Sequence, residues 1–136
     1  MPKIFISDTG VLCYLRGDTH ASLLHDRNRV GAVMENFVIM EIIKQMSWSL
    51  LGFKPYHFRD HKGIEVDLLL ENRQKHIYGI EIKTSASVKS SDFRGLEYFA
   101  EHNPKNFKKG IVFYTGDQYI QFSEKMHAVP LSLLWE

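Results

Sequence analysis

One cysteine in 136 residues, Cys13, leaves no partner for an intramolecular disulfide and no thiolate set for a zinc site, which points to the cytoplasm. No apolar run approaches the ~20 residues that a membrane-spanning helix needs. The N-terminus also has no basic stretch followed by an unbroken apolar one. The expectation is a cytoplasmic protein that makes no membrane contact. Any Gly-x-x-x-x-Gly-Lys-Ser/Thr loop is missing too, so this chain alone is not expected to bind a nucleoside triphosphate in the P-loop manner. Nor is there an excess of charge of one sign: 17 Lys and Arg stand against 16 Asp and Glu, a net charge of +1. Affinity for nucleic acid therefore has to come from a local patch, for which Lys89, Arg94, Lys105, Lys108 and Lys109 are candidates. What is present is 44% hydrophobic and 12% aromatic residues, enough for one buried core. A single domain over residues 1–136 is expected, with an N-terminal strand, helix and loop in 1–29 and the core in 30–136.

The chemistry concentrates between Gly63 and Lys83. Two segments, Gly-Ile-Glu-Val-Asp-Leu-Leu-Leu-Glu and Ile-Tyr-Gly-Ile-Glu-Ile-Lys, alternate with period two around the polar break Asn72-Arg73-Gln74-Lys75, which predicts a hairpin. Neighbours on a strand point to opposite faces. Ile64, Val66, Leu68 and Leu70 then share one face, and Glu65, Asp67, Leu69 and Glu71 the other. In the second strand Ile77, Gly79, Glu81 and Lys83 lie together, with Tyr78, Ile80 and Ile82 facing away. Asp67, Glu81 and Lys83 can thus meet on one surface. Two carboxylates form a site for a hard divalent cation, which takes oxygen ligands, and the ammonium beside them can handle a water.

Ahead of the hairpin, Lys3–Ser7 reads as a short strand, and Asp8-Thr9 as the cap of a brief helix that ends near Gly17. Asp8-Thr9-Gly10 also matches the aspartic-protease triplet, but nothing later in the chain repeats it, and the helix cap is the better reading. Asp18 to Arg29 is polar and aperiodic and reads as a loop in which His20 and His25 are solvated. Val30 to Leu51 predicts one long helix ending at Gly52. At about 100° per residue, Gly31, Ala32, Val38, Ile39, Ile42, Ile43, Met46 and Leu50 gather around Glu35, with Val30, Val33, Phe37 and Met40 on the other side. A carboxylate on a core-facing stripe needs a partner. For Glu35 that partner is a salt bridge, a capping contact or the acidic cluster of the sheet.

Pro55–Asp60 predicts a strand before the hairpin, and His57 and His61, near the acids in sequence, read as surface residues, with contact to the site as the alternative. After Lys83, Thr84–Val88 is a small-residue loop. Ser90 or Ser91 caps a helix to about His102, with Phe93, Leu96, Phe99 and Ala100 inward. Lys109–Thr115 is a continuous apolar run typical of a central strand paired in parallel. Tyr119–Phe122 and Val129–Trp135 read as further strands, with Pro130 placing the last at an edge or at a strand start. The expected fold is α/β, with helices flanking a central mixed sheet.

Glu35 on a first helix, Asp67 in a second strand and Glu81-Ile82-Lys83 in a third resemble the PD-(D/E)XK nuclease superfamily, whose αβββαβ core is that of restriction endonucleases. In finer detail, Lys3–Gly10, Gly31–Val38, Phe58-Arg59-Asp60 with Glu65-Val66-Asp67, and Glu81-Ile82-Lys83 with Gly95-Leu96 are similar to the uncharacterised C-terminal domain of many bacterial and archaeal AAA-type ATPases. Val66 stands where the superfamily name has proline; the aspartate is the ligand. In the resembling proteins a nucleotide-binding module precedes the point where this chain has Met1, so a fragment or a stand-alone relative is expected. The resemblance implies that Asp67, Glu81 and the Ile82 carbonyl hold Mg²⁺ or Mn²⁺, with Glu35 completing the shell. It also implies that Lys83 acts on the attacking water, and that Lys89, Arg94, Thr84 and Ser85 contact phosphates. The implied function is metal-dependent phosphodiester hydrolysis of nucleic acid, with DNA as the expected substrate; the alternative is a non-catalytic DNA-binding or ATPase-coupled module. An AAA-type ATPase is the implied partner.

Overall fold

Gly17, at φ 69°, closes the first helix, α1 (Thr9–Arg16), as glycine does where a helix ends in the left-handed region. The computed structural model of the chain describes residues 9–135, so the strand expected at Lys3–Ser7 and the cap expected of Asp8 lie outside the described residues. The chain divides into two compact units, Met1–Trp48 and Ser49–Glu136.

In the first unit, the segment expected to be a loop contains a second helix, α2 (His20–His25). The Ser22 N–H donates to Thr19 Oγ1 at 3.1 Å, and the Thr19 N–H to Ser22 Oγ at 2.8 Å, a capping box. The polar residues that made this stretch look irregular are the cap itself. Asp18, its carboxylate fully enclosed, receives Arg29 Nη1 at 2.5 Å and Arg16 Nε at 3.4 Å. This anchors both ends of the segment. Thr19→Ala is expected to cost about 1 kcal/mol of α2 stability, read as faster hydrogen exchange of the α2 amides while those of the sheet are unchanged.

The long helix, α3 (Arg27–Ser47), starts earlier and ends sooner than expected. The Asp26 carboxylate caps it, accepting from the Asn28 N–H at 3.0 Å and the Arg29 N–H at 3.4 Å. Gly52 lies beyond its end, and Leu50, 94% exposed, is not part of its stripe. Val38, Ile39 and Ile42 of the expected stripe are buried, whereas Ala32 is exposed. On the other side Val30, Val33, Met34 and Phe37 line an apolar cavity of about 260 Å³ together with Leu23 of α2.

The second unit is a mixed sheet of six strands, β1 (Lys54–Arg59), β2 (Glu65–Glu71), β3 (Ile77–Ile82), β4 (Phe107–Tyr114), β5 (Ile120–Gln121) and β6 (Met126–Pro130), in the order β1-β2-β3-β4-β6-β5. The predicted hairpin forms, β1 pairs antiparallel with β2, and β4 is central and parallel to both β3 and β6. A 3₁₀ turn, Ser90–Phe93, leads into α4 (Arg94–His102). Its start is fixed by Asp92, whose carboxylate accepts the Lys89 N–H at 3.0 Å, and not by Ser90 or Ser91 as expected. Phe93, Leu96 and Phe99 pack with Val66, Leu69, Phe107, Val112 and Met126 in the core of this unit.

Two strand expectations need correction. Val129–Trp135 is not an edge strand: β6 ends at Pro130, lies between β4 and β5, and gives way to a 3₁₀ turn at Leu131–Trp135. Val66 does not point away from Leu69, because the β1–β2 register slips. Tyr56 pairs with Leu69 but Phe58 with Val66, so His57 alone faces Asp67 and Leu68. This bulge turns Val66 into the same core as Leu69. Among the described residues no helix is long and apolar enough to cross a membrane.

Candidate functional site

The β2–β3 ladder runs from Glu71↔Ile77 to Leu68↔Ile80. One step further, Asp67 Oδ2 accepts the Ile82 N–H at 2.9 Å, so a carboxylate stands where a backbone carbonyl would continue the ladder. Asp67 and Glu81 are each 8% exposed. Their carboxyl groups are hydrogen-bonded to one another, and Glu81 is pushed up from 4.5 to about 9. Burial is the main cause, followed by the charge of Asp67 and the hydrogen bond to it; the charge of Lys83 pulls the other way and is outweighed. At neutral pH this pair holds a proton that water would remove from an exposed glutamate.

Lys83, half-buried, follows Glu81 along the strand, and its backbone N–H donates to the Phe113 carbonyl at 2.8 Å. The first turn of α4 closes over the pair at Gly95. A Cβ there would stand 2.3 Å from the Glu65 carbonyl oxygen and 3.3 Å from Glu81 Oε1. The loop after Lys83 is held by Thr115, whose N–H donates to the Ser85 carbonyl and whose hydroxyl donates to the Thr84 carbonyl, at 3.1 and 3.2 Å.

Asp67 and Glu81 thus come together, with the Asp67 carboxylate reaching Glu81 from the bulge of β2, and Lys83 follows just past the end of β3. His57, read as a surface residue, instead sits behind the pair at the bulge, with Nδ1 3.5 Å from the Asp67 carbonyl and Nε2 3.8 Å from a Glu65 carboxylate oxygen. Only the β1–β2 register reveals this. His61 lies in the exposed turn between those strands, and Glu71 is at the far end of β2, paired with Lys75. Glu35 lies on α3 in the first unit, half-buried. Lys89 and Arg94, both exposed, flank the entry to α4, whereas Lys105 lies in the loop that follows the helix and Lys109 in β4.

Among the described residues no three His, Cys, Asp or Glu side chains converge as a ready-made metal cage. The donor set is two buried carboxylates, each 8% exposed. Such hard oxygen donors suit a hard divalent cation.

Residues 30–134 match the model of a domain of unknown function, DUF4143. Over 131 residues, 95% of the chain, the sequence is 30% identical to uncharacterised proteins of Mycobacterium tuberculosis and Mycobacterium bovis, and it spans 27% of their length. Among solved structures, the fold is similar to a chain in a half-complex from an assembly of Thermococcus gammatolerans McrB AAA+ hexamers with bound McrC. The TM-score is 0.52 at 9% identity, over 74% of this chain and 27% of that one.

Proposed function

The chain belongs to the DUF4143 family, and from that premise we propose that it is a Mg²⁺- or Mn²⁺-dependent phosphodiesterase acting on nucleic acid, built on the restriction-endonuclease-like PD-(D/E)XK plan. The observation that carries this reading is the buried Asp67–Glu81 pair, each residue 8% exposed, with Lys83 just past the end of β3 beside Glu81. Asp67, Glu81 and the Ile82 carbonyl would hold the metal. Bound there, the ion supplies charge neutralisation and polarises a phosphoryl oxygen.

The remaining steps fall to the chain itself. To hold the cation Glu81 would have to release its proton to solvent, since metal ligands of this kind bind as anions. Lys83 orients the attacking water, and its ammonium neutralises charge that develops on the phosphate. Asp67 keeps its geometry through the Ile82 N–H, which ties the carboxylate to β3. Arg94 and Lys89 lie exposed beside the entry to α4, where they can take flanking phosphates.

A second reading, a non-catalytic module coupled to an AAA-type ATPase, draws support from the likeness to a chain of an AAA+ assembly and from a donor set of two. Calorimetric titration with Mn²⁺ separates the possibilities at the first step. Wild type should bind, and Asp67→Asn should bind at least about tenfold more weakly; equal heats would remove the metal site. Wild type should then nick plasmid DNA with Mn²⁺, and Lys83→Ala should bind Mn²⁺ without nicking. Binding by wild type without turnover would favour the ATPase-coupled module.

A further inference from the structure

We propose that the end of the sheet where β3, β4 and β6 begin, opposite the Asp67–Glu81 end, is a metal-independent contact surface for the phosphate backbone of nucleic acid. The strand register assembles it. Ile77 pairs with Phe107, Tyr78 with Lys109 and Gly110 with Met126, while the Ile77 N–H donates to the Asn106 carbonyl and the Gly110 N–H to that of Lys125. The β2–β3 turn with Arg73 and Lys75, the α4–β4 loop with Lys105, and Lys108, Lys109 and Lys125 at the strand starts thereby become neighbours. Arg73, Lys75, Lys105 and Lys109 are exposed. In a chain of net charge +1, this concentration of cations at one edge is a local excess.

Two features indicate that the cations are placed rather than scattered. Lys75 holds φ 66°, a left-handed conformation in which glycine or asparagine is the unstrained choice. Its turn is rigid, because the Asn72 side chain accepts the Gln74 and His76 N–H groups at 3.0 and 2.9 Å. A lysine is kept there at 72% side-chain exposure, with a 3.6 Å contact to Glu71 that solvent weakens. In addition, Lys108 and Lys125 donate to the carbonyls of Lys105 and Phe107, each at 3.4 Å, which fixes both ammonium groups over the loop. The acids nearby are Glu71, Glu97, Glu101 and Glu124; the last three are exposed and line a cavity with Lys125.

The chemistry favours nucleic acid over the other polyanions. A membrane surface takes apolar anchors beside its cations, and among the described residues no large hydrophobic side chain is exposed in the turn or the loop. The four steps along β3 from Ile77 to Glu81 separate the start of this edge from the acidic pair by about 13 Å. A duplex covers that distance in about four base pairs, so one nucleic acid can reach both ends.

The test is anisotropy of a labelled DNA duplex with the full chain in EDTA, across a salt series, comparing wild type with Arg73→Gln/Lys75→Asn/Lys109→Gln. Lys75→Asn suits the left-handed position, so the variant should fold; its Mn²⁺ titration should match wild type. The expected result is about a tenfold or greater loss of affinity, with the salt slope reduced by about two to three, roughly one for each phosphate that a removed cation had neutralised. Equal binding by the variant, no binding by wild type at low salt, or capture of phosphatidylserine vesicles or polyglutamate in place of DNA would each overturn the proposal. Because no metal takes part, its failure is separate from that of the phosphodiesterase reading.

Discussion

Glu81→Gln is expected to make the metal-free protein more stable at neutral and alkaline pH. In the unfolded chain Glu81 ionises at about 4.5, whereas in the folded one it does so at about 9. Below 4.5 both states carry the proton and the group has no effect on stability. As the pH rises above that, the unfolded state loses its proton first and is favoured, so wild-type stability falls until the folded-state value is passed. Glutamine resembles the protonated acid and does not titrate. The variant should therefore gain about 3 kcal/mol over wild type at pH 7, and the difference should vanish near pH 4. Urea unfolding at pH 4, 7 and 8.5 measures it; a flat difference across those values would show that the glutamate is already ionised in the folded state. Mn²⁺ supplies the converse. At about a hundred times its dissociation constant it should raise wild-type stability by about 2.7 kcal/mol and leave Glu81→Gln almost unmoved.

The pair behind this effect was legible in part, because two short runs of period-two alternation joined by a polar break place Asp67 and Glu81 on adjacent strands of a hairpin. The contact itself is made at the bulge, where the Asp67 carboxylate accepts the Ile82 N–H. Other features depended on interactions that alternation does not encode. The β1–β2 bulge follows from a slip in register, and without it Val66 and Leu69 would belong to opposite faces. The helix at His20–His25 is specified by a reciprocal cap between Thr19 and Ser22, which in composition looks like a loop. The last strand was misplaced because Val129–Trp135 is the more apolar run. The sheet instead takes Met126–Pro130, where Met126 and Ala128 can meet the α4 core. The basic edge was only half legible for a similar reason: Lys105, Lys108 and Lys109 stand out as a basic run, but Arg73 and Lys75 join them only through the parallel β3–β4 register.

Gly95→Ala should be among the most damaging small substitutions in the chain. In an exposed helix this change usually stabilises by up to about 1 kcal/mol, because alanine is the better helix former. Here the added methyl would stand 2.3 Å from the Glu65 carbonyl oxygen, a backbone atom that cannot swing aside, and 3.3 Å from Glu81 Oε1. α4 must lift from β2, at a cost of about 3 kcal/mol by the usual scale of overpacking. The displacement would also open the cover over Glu81, so Mn²⁺ binding should fail even in the fraction that remains folded. Leu96→Ala provides the comparison. Leu96 is fully buried in the same helix but points into the apolar core. Its truncation should cost a similar ~2–5 kcal/mol through the cavity it leaves, while Asp67 and Glu81 stay in place. Measured below both unfolding transitions, Leu96→Ala should bind Mn²⁺ like wild type and Gly95→Ala should not. Equal binding by the two would mean that the pair keeps its geometry without close contact from α4.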